Sequence, residues 1–167
     1  ETSLSGNYVT TILKDATGTL WIGTYGQGIN KLSFRNGKAK FKSYSTENGI
    51  ANNIIYGILE DADKLLWLST DNGLTLFEPE TEKTRNFYKT DGLLNNQYYW
   101  SAYYKNDSGK LYFGGMSGLN TFYPSWISNR SIQPDVVITD LKIYNESVVP
   151  GAEYHGVTIL KTDISNA

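Results

Sequence analysis

Several segments of this sequence are suited to contacting a ligand, because they contain tyrosines and side-chain amides, together with one carboxylate. Amides offer paired hydrogen-bond donors and acceptors, and aromatic rings cover the apolar faces of sugars, so such a set suits neutral or acidic carbohydrates. The candidate ligand-binding residues are Tyr25, Gln27, Asn52, Asn53, Asp71, Asn72, Asn95, Asn96, Gln97 and Tyr99. Asn is also a common turn residue, so a purely structural role for the amides stays open.

Residues for most catalytic and metal chemistry are scarce. The 167 residues include no Cys and one His, His155, which excludes a thiolate nucleophile, a zinc–thiolate site and a histidine metal cluster. Asp71 is the only acidic candidate, whereas glycan hydrolysis uses two carboxylates about 5–9.5 Å apart. Asp61 and Asp63 lack the other ligands of a calcium loop and are interpreted as a solvated turn. We therefore expect no catalytic residue, no metal and no cofactor in this chain.

Composition favours strands and excludes strongly charged partners. The chain has 15 Lys+Arg against 17 Asp+Glu, a net charge of -2, so we expect no direct nucleic acid binding. It contains 13 Tyr, 6 Phe and 4 Trp, residue types that favour strands, and 16 Gly, which suit tight turns. No apolar run approaches the roughly 18 residues of a membrane span, and residues 1–3 do not resemble a secretory leader. If the parent protein is exported or anchored, we expect those parts to lie outside this sequence.

A segment with a central aromatic residue occurs three times and determines where the candidate residues lie. The copies occupy residues 15–24, 61–70 and 106–115, and their aromatic residues, at intervals of 46 and 45, are Trp21, Trp67 and Tyr112. Each copy predicts short antiparallel strands joined by polar turns, which is the pattern of a β-propeller blade. We expect Trp21 and Trp67 to pack between neighbouring blades.

The predicted strands also place the candidate residues on one face. First strands are predicted at 9–14, 54–60 and 102–105, and a fourth strand is visible in two copies, at 41–44 and 87–88. Because antiparallel strands alternate in direction, the turns between second and third strands emerge on the same face as the loops between blades. The third copy stops after three strands, which predicts a terminal blade. Closed propellers have about 4–8 blades, so the chain is expected to be the end of a larger propeller.

The sequence therefore predicts an all-β chain: a partial propeller of three blades, then the first strands of an Ig-like β-sandwich. Residues 1–127 are assigned to the C-terminal blades of the propeller, 128–134 to a linker and 135–167 to the truncated second domain. In that domain alternating apolar residues predict a strand at 136–144, a turn at 145–146, and further strands at 147–149 and 157–160.

These motifs carry a resemblance to a known family. The copy 15–24, with its Leu20-Trp21-Ile22-Gly23-Thr24 core, resembles the two-component regulator propeller repeat, and residues 111–124 resemble the last blade of such propellers. Residues 134–149 are similar to the opening strands of the Ig-like tyrosine-triplet (Y_Y_Y) domain, which follows these propellers in hybrid two-component sensors of gut bacteria. Lys64 and Ser69 stand where the family prefers Gly.

The resemblance implies a fragment of the periplasmic ligand-sensing region of an inner-membrane hybrid two-component sensor. Such a region would detect a glycan or oligosaccharide and pass the signal to a histidine kinase absent from this chain. The implied partners are the glycan, the remaining blades of the parent chain and, by dimerisation, a second parent molecule. We also expect this fragment to self-associate through uncovered blade faces.

Two other functions stay open. Many propellers are scaffolds for protein–protein interaction, and some are glycan-active enzymes. A ligand-induced stabilisation without turnover would favour the sensor over both.

Overall fold

The computed structural model of the chain describes residues 3–127, 141–159 and 161. It divides into two compact units, residues 1–129 and 130–167, which are described separately. Regular structure in the described residues consists of short β-strands and three single-turn 3-10 helices, so the prediction of an all-β chain is confirmed. None of the helices in the described residues is long and apolar enough to cross a membrane.

Three antiparallel sheets follow one another in the first unit, each with its strands in chain order. The first sheet contains β1 (Val9–Lys14), β2 (Leu20–Thr24), β3 (Ile29–Arg35) and β4 (Lys38–Tyr44). The second contains β5 (Ile55–Glu60), β6 (Leu66–Thr70), β7 (Gly73–Phe77) and β8 (Thr84–Phe87). The third contains β9 (Tyr98–Lys105), β10 (Leu111–Gly115) and β11 (Gly118–Phe122). Three strands in the third sheet match the prediction from the sequence.

The two loops between sheets have the same construction. Each makes one 3-10 turn, Thr46–Asn48 or Lys89–Asp91, and closes on a glycine in the left-handed region. The φ angles of these glycines, Gly49 and Gly92, are 88° and 102°. A side chain would be strained at such angles, so glycine suits both loop ends.

Aromatic residues pack the sheets against each other, as predicted. The Trp21 ring of the first sheet lies 5.5 Å from the Phe77 ring of the second, and the two belong to one buried cluster. The Trp67 ring of the second sheet lies 4.8 Å from the Phe122 ring of the third. Both indole rings are almost fully buried. Burial of 150–250 Å² per aromatic side chain makes these contacts a major source of stability between the sheets.

A buried aspartate holds each of these tryptophans, and this corrects the interpretation of Asp61 as part of a solvated turn. Trp21 Nε1 donates to Asp15 Oδ2 at 2.8 Å, and Trp67 Nε1 donates to Asp61 Oδ2 at 2.9 Å. The two aspartates are only 8% and 7% exposed. The other carboxylate oxygen accepts backbone N–H groups of the turn, Thr17 and Thr19 in the case of Asp15. The turn is therefore part of the packing between sheets.

The third copy of this motif changes both partners together. Tyr112 replaces the tryptophan and has no indole N–H, and Asn106 replaces the aspartate. Asn106 Oδ1 still accepts from the turn, with Lys110 N at 2.8 Å. Tyr112 itself is half-buried and lies on the face of the third sheet with Tyr104, 6.0 Å between ring centroids. The third copy therefore keeps the turn, although it lacks the carboxylate–indole hydrogen bond.

The first strands of the three sheets are joined by one side chain. Tyr103 of the third sheet lies over Gly57 of the second and shares a 2.8 Å hydrogen bond with Thr11 of the first. A Cβ atom on Gly57 would overlap the Tyr103 ring. Glycine is therefore required at position 57 by close approach and not by its backbone angle.

The second unit, in the described residues, contains two short hairpins. They pair β12 (Lys142–Ile143) with β13 (Glu146–Ser147) and β14 (Glu153–Tyr154) with β15 (Val157–Thr158). The turn lies at 144–145, one residue before the predicted position, because both residues have positive φ, 49° and 68°, as a two-residue hairpin turn requires. The strand predicted at 147–149 accordingly begins and ends earlier. Residues 128–140 and 160, with the predicted linker and most of the strand 136–144, lie outside the described residues.

The carboxylate–indole bond can be tested with Asp15→Asn. Burial raises the pKa of Asp15, but hydrogen bonds from Thr17, Trp21 and Thr19 outweigh it and hold the pKa below the ordinary value of 3.8. We expect the variant to lose about 1–3 kcal/mol of unfolding free energy at neutral pH, because an amide cannot accept from all of these donors.

The pH dependence of that loss follows from the lowered pKa. The stability that the ionised carboxylate contributes is complete above pH 3.8 and is lost as the pH falls through the folded-state pKa. The difference in unfolding free energy between wild type and variant should therefore narrow below about pH 4. Urea unfolding at several pH values measures it, with Asp63→Asn at an exposed neighbouring position as the control. A constant difference from pH 6 to pH 3 would contradict the assignment.

The contact between Gly57 and Tyr103 predicts a non-additive double-mutant cycle. Gly57→Ala alone should destabilise the chain by about 1–3 kcal/mol through overpacking. In a Tyr103→Ala background the same change should cost at least about 1 kcal/mol less, since the ring that meets the new Cβ is gone. Paired with Trp126→Ala, at an exposed position, Gly57→Ala should be additive within roughly 0.5 kcal/mol. Additivity in both backgrounds would disprove the contact.

Candidate functional site

Three of the predicted ligand-binding residues, Tyr25, Asp71 and Tyr99, converge around a fourth side chain, Tyr56. The Tyr56 hydroxyl donates to Asp71 Oδ1 at 3.0 Å. Tyr25 and Tyr99 lie close enough for their hydroxyl groups to act electrostatically on that of Tyr56. Tyr56 lies near the start of β5, and Asp71 lies in the turn between β6 and β7. The second sheet therefore forms the centre of this cluster.

Trp100 completes the cluster with an exposed indole ring. It stacks on Tyr25 with 5.5 Å between ring centroids and 15° between ring planes, and it contacts Tyr56 at 5.6 Å. The exposed fractions of Tyr25, Tyr99 and Trp100 are 48%, 56% and 46%. Residues in or next to strands of all three sheets thus form what we call the aromatic cluster: the exposed rings of Tyr8, Tyr25, Tyr99 and Trp100, with the buried Tyr56.

A bulge in β9 places Trp100 in this cluster. In β1, two residues lie between Val9 and Ile12, the partners of Thr24 and Ile22. In β9, four residues, 99–102, lie between the corresponding residues Tyr98 and Tyr103. The strand therefore begins at residue 98, four residues earlier than predicted, and carries two extra residues. Bulges redirect side chains and are frequent next to functional sites.

The backbone of the bulge is strained at one residue. Ser101 has a φ of 53° although it is not a glycine. Such a conformation costs on the order of 1 kcal/mol and persists where the surrounding structure imposes it. The strain follows Trp100 directly in the chain, so the fold accepts a local cost to present this side chain.

The surroundings of the Tyr56 hydroxyl determine its charge state. Burial raises the pKa of the Tyr56 hydroxyl to about 12, and the hydrogen bond to Asp71 and the charge of its carboxylate act in the same direction. Tyr56 is therefore a neutral donor at physiological pH. No hydrogen bond to the second oxygen, Asp71 Oδ2, is found among the described residues.

The predicted amides mainly hold the loops. Asn53 Oδ1 accepts from Thr46 N at 2.8 Å, and Asn96 Oδ1 accepts from Lys89 N at 2.6 Å. Asn52 and Asn95 each accept the backbone N–H two residues later, at 2.8 and 3.0 Å. The structural alternative for these amides therefore has direct support, since equivalent atoms make equivalent bonds in both loops.

Asn72 and Gln97 link the loops to the turns between second and third strands. Asn96 Nδ2 donates to Asn72 Oδ1 at 3.2 Å, and Met116 N donates to the carbonyl of Gln97 at 3.1 Å. Gln27 is exposed, and its backbone N donates to Thr24 Oγ1 at 3.2 Å. The loops and turns do meet on one face, as the alternation of strand direction predicted.

Sequence reasoning missed Tyr8, Tyr56 and Trp100. A signal for Trp100 is present in the repeat spacing: Asn53 and Asn96 are 43 residues apart, whereas Trp67 and Tyr112 are 45 apart. The two extra residues must lie between these landmarks. Because the first strand of the third copy lies between Asn96 and Tyr112, the two extra residues locate the bulge in that strand.

No group of three or more His, Asp or Glu side chains able to hold a metal ion occurs in the part of the chain that the structure describes. The aromatic cluster, with one hydrogen-bonded carboxylate, is suited to contacting apolar faces and hydroxyl groups of a small ligand.

Comparison with known proteins identifies the repeat. Residues 3–26 and 49–72 match the two-component regulator propeller model. The chain is 37% identical over 118 residues to histidine kinase P4 of Formosa agariphila, covering 71% of this chain and 8% of that protein.

Two solved structures share the fold. One is the extracellular domain of a B. thetaiotaomicron protein described as a hybrid two-component system, and it matches with a TM-score of 0.59 and 21% identity over 72% of this chain and 18% of its own. Another matches with a TM-score of 0.52 and 17% identity over 90% of this chain and 27% of its own. This chain therefore spans only a small part of each relative. Its matched repeats, its three successive sheets and its 37% identity to a histidine kinase lead to one assignment: the chain carries two-component regulator propeller repeats.

Proposed function

We propose that this chain is part of the ligand-sensing region of a hybrid two-component sensor whose histidine kinase lies elsewhere in the parent protein. The regulator propeller repeats and the 37% identity to histidine kinase P4 support this. The two B. thetaiotaomicron relatives are extracellular domains, which supports a periplasmic position as the extracytoplasmic part of an inner-membrane protein.

The aromatic cluster is the observation that supports a glycan or oligosaccharide as the ligand. Exposed aromatic rings grouped on one face are unusual for a surface without a partner. Tyr25 and Trp100 offer apolar ring faces, and Asp71 beside them offers a carboxylate oxygen to hydroxyl donors. Sugars present both kinds of surface, apolar C–H faces and hydroxyl groups.

We propose that this fragment binds its ligand without transforming it. The carboxylate of the candidate site, Asp71, accepts a hydrogen bond from Tyr56. A carboxylate held by a neutral phenol is arranged as a hydrogen-bond acceptor, whereas glycan hydrolysis uses a second carboxyl group across the bond to be cleaved.

The remaining blades of the parent chain and a second parent molecule are the protein partners we propose. The outer face of the third sheet supports this, because Tyr104 and Leu119 are 62% and 53% exposed there. With Tyr112 and four neighbours they line a cavity of about 270 Å³. In the first two sheets the corresponding tryptophans are covered by the following sheet.

Thermal unfolding of the 167-residue chain with a panel of oligosaccharides tests the proposed function. A ligand at a hundred times its Kd stabilises the folded state by about 2.7 kcal/mol, which corresponds to a rise in Tm of roughly 5–10 °C for this size. We expect such a rise for at least one oligosaccharide, with the sugar recovered unchanged by chromatography. Turnover would instead support the enzyme, and no shift across the panel would contradict glycan sensing.

The uncovered face of the third sheet predicts self-association of the fragment. Light scattering should give an average mass above that of a monomer at high concentration and a fall on dilution. Leu119→Lys should lower this mass, since it places a charge on the uncovered face, whereas Val157→Lys, at an exposed position in the second unit, should leave it unchanged. A strictly monomeric wild type at high concentration would refute the prediction.

A further inference from the structure

A small aromatic pocket lies at the edge of the aromatic cluster. Its volume is about 290 Å³, and its lining consists of Tyr8, Tyr25 and Trp100. Ligand pockets in proteins usually have volumes of about 300–1,000 Å³, so this one is at the lower end of the range. It has room for one ring of a ligand and not for an extended chain.

Two different strand features present the rings of the pocket. The Tyr8 carbonyl accepts from Tyr25 N at 2.9 Å, which fixes the start of the first strand to the turn that follows β2. Trp100 comes from the bulge of β9 and stacks on Tyr25, so residues from the first and third sheets meet. The ring positions are therefore set by backbone hydrogen bonds and by a strained bulge, which reduces the ordering cost of binding.

One carboxylate is connected to the pocket through Tyr56, whose ring lies 5.6 Å from that of Trp100 and whose hydroxyl donates to Asp71 Oδ1 at 3.0 Å. The groups that act electrostatically on the Tyr56 hydroxyl are the Asp71 carboxylate and the hydroxyls of Tyr25 and Tyr99. All of these groups are acidic or neutral, and burial of Tyr56 lowers the local screening by water. An anionic ligand would meet the Asp71 carboxylate without a compensating cation from these residues.

We propose that Tyr8, Tyr25 and Trp100 form a stacking subsite for one ring of an uncharged sugar, and that Asp71 discriminates against acidic sugars. The proposal rests on the proposed function, glycan sensing, and deepens it by naming the sugar class and the residues that select it. The aromatic faces bind the C–H surface of the ring. Asp71 Oδ2 accepts hydrogen bonds from sugar hydroxyls, which an uncharged sugar supplies and a uronate carboxylate opposes.

Oligosaccharides matched in linkage and length but different in charge separate the effect of stacking on affinity from the effect of charge. Cellotetraose and mannotetraose have the same linkage and length as tetraglucuronate and tetramannuronate, and they differ in charge. Affinities for the 167-residue chain are measured by calorimetry at low salt, where charge effects are strongest. We expect the uncharged member of a pair to bind at least about tenfold more tightly than its acidic counterpart.

Variants then test the named residues. Trp100→Ala should weaken binding of the uncharged sugar about tenfold, because it removes the apolar face that covers the ring. Trp100→Phe should restore most of it, and Trp126→Ala, at another exposed tryptophan, should leave it within about twofold. Asp71→Asn should raise affinity for the acidic member and narrow the difference between the two. Tm values of all variants, measured without ligand, separate loss of binding from loss of folding.

The outcomes distinguish the two proposals. Tighter binding of the acidic member overturns the discrimination by Asp71, and equal binding by wild type and a folded Trp100→Ala variant overturns the stacking subsite. Either result leaves glycan sensing in place. Failure of every oligosaccharide in both this set and the thermal panel overturns both proposals.

Discussion

The bond between a buried aspartate and the indole N–H of a tryptophan is the interaction on which this structure depends. In the first two repeats it fixes the polar turn after the first strand to the aromatic ring that packs on the next sheet, at 2.8 Å in the first sheet and 2.9 Å in the second. Without that bond the indole N–H would be buried unpaired, at a cost of about 1–3 kcal/mol. The turn on one face and the contact between sheets are therefore a single structural unit.

With the sheets held in this way, the face that carries the aromatic cluster can vary without disturbing the packing. The bulge in β9 adds two residues and reaches across to Tyr25, yet Tyr103 at its end still lies over Gly57 and shares a hydrogen bond with Thr11. The insertion is absorbed between two ladder pairs, Tyr98 with Gly115 and Tyr103 with Phe113. Beyond them the strand follows the same pattern as in the other sheets.

Much of the fold could be predicted from the sequence, because recurring turn residues and the intervals between aromatic residues report strand positions directly. The meeting of loops and turns on one face was predicted too, through the alternation of strand direction. The roles of individual side chains on that face were harder to predict. Asn53 and Asp71 are both polar residues in loops, but one caps a 3-10 turn and the other accepts from a buried phenol, and only three-dimensional proximity separates them. Trp100 was missed because a bulge breaks the alternation on which strand reasoning relies.

The two asparagines that cap the loops, Asn53 and Asn96, require loops of a fixed length. Each spans seven residues to reach its backbone donor, so adding or removing a residue within that span would break the bond. Length differences between the repeats accordingly lie outside these two loops, in β9 and in the connections between the second, third and fourth strands of the first two sheets. In an engineering setting, residues 99–101 lie outside both of these closed spans, so exchanging them would leave the loop hydrogen bonds unchanged.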